Sequence, residues 1–172
     1  MSKGIKDFEK DMAKIGKACQ DPKNLRQAAQ FIQGAAKLNA PGGITGFLRN
    51  SIDYTLTGDE GGLEAVIGTN AEYAMYVEFG TGPKGAANHA DSSPDFKPTY
   101  TLEPWWVHES QLDPQAIQRY HWPSIVTEKG RFYKISGQAA HPFLYPALKD
   151  NESTVAKLVA EGLEGAIGKV VK

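Results

Sequence analysis

A chain of 172 residues with 41% hydrophobic content is long enough to bury one core of ordinary size, and it reads as a single domain. Its 19 basic and 20 acidic residues leave a formal net charge of −1, so no global positive field draws it to nucleic acid or anionic lipid. The lone Cys19 excludes an intrachain disulfide and fits a reducing cytoplasm, no amino-terminal stretch has the layout of a signal peptide, and no apolar run nears the ~20 residues that span a bilayer.

Ile5, Phe8, Met12, Ile15 and Cys19 recur at three- and four-residue steps, one apolar stripe of an amphipathic helix that Pro22 interrupts. A second helix is expected over 23–38, with Leu25, Ala28, Ala29, Ile32 and Ala36 on one narrow face and Pro41-Gly42-Gly43 as its stop. Residues 1–40 carry eight basic and four acidic side chains, which is either a solvated helix face or a surface for an acidic neighbour.

Strict alternation follows, with Ile52, Tyr54 and Leu56 to one side and Ser51, Asp53, Thr55 and Thr57 to the other. Leu63, Ala65 and Ile67 resume it after Gly58-Asp59-Glu60-Gly61-Gly62, so a β-hairpin with a five-residue loop is expected. Residues 71–79 fit a short helix with Tyr73, Tyr76 and Val77 on one side and Gly80 as its cap, with a strand as the alternative.

From 80 to 137 the pattern loosens, since six of the ten prolines and all three tryptophans lie there without sustained periodicity. Residues 83–98 offer too little apolar surface to offset the cost of ordering, and disorder in the free protein is expected. Trp105-Trp106-Val107 and 131–135 read as strands that pair, with 111–122 looping between them. Val155, Leu158, Val159, Gly162, Leu163, Ala166, Ile167 and Val170 then mark a long final helix with a heptad-like seam.

Gly80-Thr81-Gly82-Pro83-Lys84-Gly85 satisfies the letters of a dinucleotide fingerprint, but that motif works between a strand and a helix, and neither is expected here. His108, Glu109, Asp113 and His121 are the one polar cluster that a divalent ion and a hydrolase reaction would use if the segment folded back. No HExxH, CxxC or nucleophile elbow accompanies them. Phe96, Tyr100, Trp105, Trp106, Tyr120, Trp122, Phe132 and Tyr133 form an aromatic cluster that would suit single-stranded bases, a minor core or a protein interface. Six basic and six acidic residues over 80–137 remove the electrostatic attraction that nucleic acid demands.

Three segments together are similar to the lambdoid-phage tail-component family, whose members are small neck or tail-completion proteins: 40–52 with its Pro41, Thr45-Gly46, Leu48-Arg49 and Ser51-Ile52, then Tyr73-Ala74-Met75-Tyr76-Val77-Glu78-Phe79-Gly80-Thr81-Gly82, then 137–148 with His141-Pro142-Phe143-Leu144 and Pro146. Gly42, Gly43 and Ile44 stand where the family has two residues, and the excursion after Gly82 differs in length among relatives. The resemblance implies a non-enzymatic, cofactor-free virion subunit at the head–tail junction, assembled in the host cytoplasm. Head-closure protein, tail terminator and tail tube are its expected partners, with ring-like self-assembly and no membrane or sequence-specific nucleic-acid contact.

The expected architecture is α+β: amino-terminal helices over 1–40, a hairpin and short helix over 50–82, a long projecting loop with short strands over 83–137, and a carboxyl-terminal helix over 142–172, packed on a small, mainly antiparallel sheet. Glu78, Phe79, Thr81, Trp105, Trp106 and Trp122 are the candidate interface residues. Glu78, the one charge in its motif, reads either as a solvated helix residue or as an intersubunit ion pair or amide cap.

Overall fold

A computed structural model describes residues 2–43, 45–59, 62–89 and 91–170, with the side chains of 2–7 outside the described set. In chain order it holds α1 (Ser2–Cys19), a 3-10 turn (Pro22–Leu25), α2 (Arg26–Asn39), α3 (Phe47–Ser51), β1 (Ile52–Asp59), β2 (Gly62–Thr69), α4 (Ala74–Phe79), α5 (Gly82–Ala87), β3 (Trp105–His108), a second 3-10 turn (Glu109–Gln111), α6 (Pro114–Tyr120), β4 (Ser124–Thr127), β5 (Gly130–Ile135), α7 (Tyr145–Lys149) and α8 (Glu152–Val170). The class is α+β with antiparallel sheets and a long final helix, as read. Contacts gather into two compact units, Met1–Ala71 with Phe143–Lys172, and Glu72–Pro142. Among the described residues no helix is long and apolar enough to cross a membrane.

In the first unit α2 is the central element, touching β1, β2, α7 and α8. Its buried face is Ala28, Ala29, Ile32 and Ala36, small enough to let neighbours approach, and Ala40, Leu48, Ile52, Phe143 and Ala147 complete the core. Phe143 and Ile52 are the largest fully buried side chains. The stripe of α1 faces α8 at Ile15 and Cys19 but leaves Phe8 and Met12 exposed, and the Ile5 side chain lies outside the described residues. Asp21 caps the 3-10 turn by accepting from the Lys23 amide at 2.9 Å, which absorbs the break that Pro22 imposes. On α8 the half-buried positions are Val155, Leu158, Val159, Gly162, Leu163, Ala166 and Val170, the seam read from the sequence, while Ile167 faces out.

Ser51 was expected in the first strand and instead closes α3, a one-turn helix that alternation over 51–57 does not reveal. The Arg49 guanidinium donates to the Ala40 carbonyl at 2.7 and 3.2 Å, and the Ser51 and Thr69 hydroxyls meet at 2.6 Å, so the turn is tied at both ends. The hairpin pairs from Ile52–Thr69 through Asp59–Gly62, which leaves only Glu60 and Gly61 between strands in place of five residues. Those two residues, like Ile44, lie outside the described set. Gly58 and Asp59 are paired with Leu63 and Gly62, and Gly58 lies close to the Pro22 ring and the Leu63 side chain.

In the second unit β3 and β5 pair antiparallel as expected, and β4 adds a third strand on the other edge of β5. Residues 111–122 do not simply loop: Asp113 accepts from the Gln115 amide at 2.8 Å, Pro114 starts α6, and His121 ends it at φ +46°. The packed side of α4 is Ala74 and Glu78, and Tyr73 and Tyr76 are exposed, which corrects the expected face. Phenols are content at a boundary with water, whereas Ala74 is small enough for close packing.

Gly162 separates α8 from the 3-10 turn by backbone alone, since a Cβ there would overlap the Asn24 carbonyl; at Gly165 nothing lies within 4 Å. Gly162→Ala is therefore expected to lower stability by about 1–3 kcal/mol and Gly165→Ala to raise it by up to about 1 kcal/mol, a difference in sign that denaturant melts resolve.

Candidate assembly interface

The second and third motifs meet inside the second unit. The amide of Thr81 donates to the Gln138 carbonyl at 2.9 Å, and the Gln138 amide returns to the Thr81 carbonyl at 3.1 Å and its hydroxyl at 3.2 Å. Lys84 donates to Ser136, Ala140 to Asn88 and His141 to Val77, all through backbone groups, and the Gln138 side chain donates to the Tyr76 carbonyl at 2.6 Å. Segment 136–141 is thus stitched along α4 and α5.

Four glycines allow the close packing of this region. A Cβ on Gly80, at φ +73°, would lie 2.6 Å from the Ala140 nitrogen and 2.8 Å from the Gln138 oxygen, and one on Gly137, at φ +74°, would overlap the Thr81 carbonyl. A Cβ on Gly85 would lie 2.7 Å from the Gly80 carbonyl carbon, and one on Gly82 would lie 2.9 Å from Cζ3 of Trp105. Gly80 does cap α4 with positive φ, but at ψ 179° its conformation is not the left-handed helical one.

Residues 83–98, expected to be disordered, follow a defined path in the described part, and Ala90 lies outside it. Gly82–Ala87 is the helix α5, and beyond it the strap of residues 91–100 is held to the end of α4. Ser92 donates to the Glu78 carbonyl at 3.2 Å, the Phe96 ring lies 4.5 Å from Phe79, and the Tyr100 hydroxyl donates to the Phe79 carbonyl at 2.7 Å. Backbone hydrogen bonds and two aromatic anchors do here what apolar content does elsewhere. Burial raises the Tyr100 pKa above its ordinary value of 10.0 and keeps the phenol a donor. The dinucleotide lettering has a helix before it, α4, so its strand–turn–helix context is missing.

Glu78 is 5% exposed, which removes its reading as a solvated helix charge. Phe79 and Thr81 are half-buried beside it. Consecutive residues of β3 point to opposite faces, so the two indoles separate: Trp105 lies against Gly82, and Trp106, paired with Lys134, is 46% exposed. Trp122 is half-buried and stacks on Tyr120 at 5.2 Å. Of the aromatic cluster, Tyr100, Trp122, Phe132 and Tyr133 turn inward in part, while Phe96, Trp105, Trp106 and Tyr120 are exposed. Gly85, Gly137 and Gln138 were not singled out as site residues, although the spacing of Gly80, Gly82 and Gly85 within one motif is the signal that marks such a contact.

The polar cluster has other employment. His108 accepts from the Ser110 amide at Nδ1 and lies 3.0 Å from the Lys129 carbonyl at Nε2, so its neutral Nε2–H tautomer satisfies both neighbours. Asp113 and His121 begin and end α6. Among the described residues no group of three His, Cys, Asp or Glu side chains is placed to hold a metal ion.

Gly80→Ala is expected to cost about 2–4 kcal/mol, from backbone strain plus overlap with segment 138–140, against about 1 kcal/mol for His108→Ala. Thermal melts followed by near-ultraviolet circular dichroism compare the two, and a larger loss for His108→Ala contradicts this ordering.

Residues 3–80, from α1 to the cap of α4, match the family described as Bacteriophage HK97-gp10, putative tail-component. No curated protein and no solved structure matches the chain. The match takes in the first recognised motif and the second as far as Gly80. Over residues 3–80 the chain is thus similar to the bacteriophage HK97-gp10 tail-component family.

Proposed function

We propose that the chain is a non-enzymatic structural subunit that builds or completes the head–tail junction of a tailed phage, acting as one assembly unit over residues 1–172 and forming a ring-like homo-oligomer in the virion. The observation that carries this reading is the match of residues 3–80 to a phage tail-component family. Head-closure protein, tail terminator and tail tube are the proposed neighbours, met in the host cytoplasm during assembly. Contacts run through Phe79, Thr81, Trp105, Trp106 and Trp122 around the buried Glu78. Trp106 is the leading anchor, because an exposed indole beside a lysine on a short strand suits a protein contact better than solvent.

A scaffold of this kind needs no reactive group. It needs rigid presentation of a few apolar anchors, which the glycine-stitched second unit supplies through backbone hydrogen bonds rather than a large core. Imaging purified virions with a tag on this chain tests the position: density at the neck or tail is expected, and its absence from particles overturns the reading.

The two indoles are expected to behave differently. Trp106→Ala should leave the melt unchanged and weaken incorporation into particles more than tenfold, as losing an anchor worth about 2 kcal/mol would. Trp105→Ala should lower stability by about 2 kcal/mol, because it vacates the space over Gly82. Complementation assays beside melts of the purified variants separate these outcomes.

A further inference from the structure

The amino-terminal charge surplus has a specific shape. Lys10, Lys14 and Lys17 recur at three- and four-residue steps, which at 100° per residue places them within an arc of ~60° on α1, opposite the apolar stripe. Lys10, Lys14 and Lys17 are exposed; Lys14 pairs with Asp11 at the border of the stripe at 2.7 Å. The same unit presents a surface of opposite sign. On the outer face of the hairpin Asp53, Thr55, Thr57, Asp59, Glu64 and Val66 are exposed, an acidic and hydroxyl-bearing surface around Val66 at 50% exposure.

Resting on the ring-like reading above, we propose that α1 of one copy docks across the outer face of the β1–β2 hairpin of the next copy, lysine stripe against carboxylates. Lysine stems cover Val66 and the threonine methyls while the ammonium groups reach the carboxylates at the margins. The two surfaces are different patches of one chain, so the contact is heterologous and continues from copy to copy until a ring closes. Exposed ion pairs are individually weak and screened by salt, so a single contact is short-lived and closure supplies the avidity. A second copy is favoured over nucleic acid because the chain carries its own complement to the stripe.

The test uses the full chain in sedimentation velocity at ~50 mM and ~500 mM salt, on either side of the range where surface charges are screened. The wild type is expected to associate at low salt and dissociate at high salt. Lys10→Glu/Lys14→Glu/Lys17→Glu and Asp53→Lys/Glu64→Lys, each with an unchanged circular dichroism spectrum, should each self-associate more than about tenfold more weakly. Their equimolar mixture should associate again, since each reversed face then meets a reversed complement. Because Asp53 also accepts from Gln33, Glu64→Lys alone serves if the double variant unfolds. A variant that associates like the wild type, or a mixture of folded variants that stays monomeric, overturns the docking while leaving ring assembly through another surface. A wild type that is monomeric at every concentration overturns the docking, and if it is also absent from particles the assembly role fails with it. Loss of an oligonucleotide shift in the triple lysine variant, with sedimentation unchanged, assigns the stripe to nucleic acid and overturns the proposal.

Discussion

Close approach at Gly80, Gly82, Gly85 and Gly137 is the constraint on which the second unit depends. With a side chain at Gly80 or Gly137, segment 136–141 would stand away from α4 and α5 and the reciprocal bonds between Thr81 and Gln138 would open, and one at Gly82 or Gly85 would press on Trp105 or on the Gly80 backbone. Those bonds are worth little singly in water, but once the glycines bring the strands of chain together they leave few backbone groups wanting partners. Trp105 then rests on Gly82, so the small sheet takes its position from the same contact.

The first unit solves its packing with alanine. A helix whose inner face is Ala28, Ala29 and Ala36 offers little area to bury per residue, but it lets β1, β2, α7 and α8 come close around it, and Ile52 and Phe143 fill the remaining space. Gly162 extends the same principle to α8, which crosses the Asn24 carbonyl without a side chain between. On α1 the described lysines, Lys10, Lys14 and Lys17, are exposed.

A subunit that joins others must be stable alone and only weakly adhesive until the correct neighbours arrive. The charged faces of α1 and the hairpin are of the kind that salt screens. Under the assembly role proposed above, specificity comes from several modest contacts acting at once.

The sequence by itself determined the periodic elements: the stripes of α1, α2 and α8, the alternation of β1 and β2, the β3–β5 pairing and the three motifs that led to the tail-component family. It did so because repeated burial of one face imposes a period of 3.6 or 2 on apolar residues, legible without partners. Tertiary structure decided what has no period. The one-turn helices α3 and α5, the capped helix α6 and the edge strand β4 are too short to show a pattern and are held by contacts far along the chain, such as Ser136 on Lys84. The packed face of α4 and the separate fates of Trp105 and Trp106 likewise depend on which backbone passes within reach, and that follows from four glycines more than fifty residues apart at their extremes, whose joint role appears only when the chain brings them together.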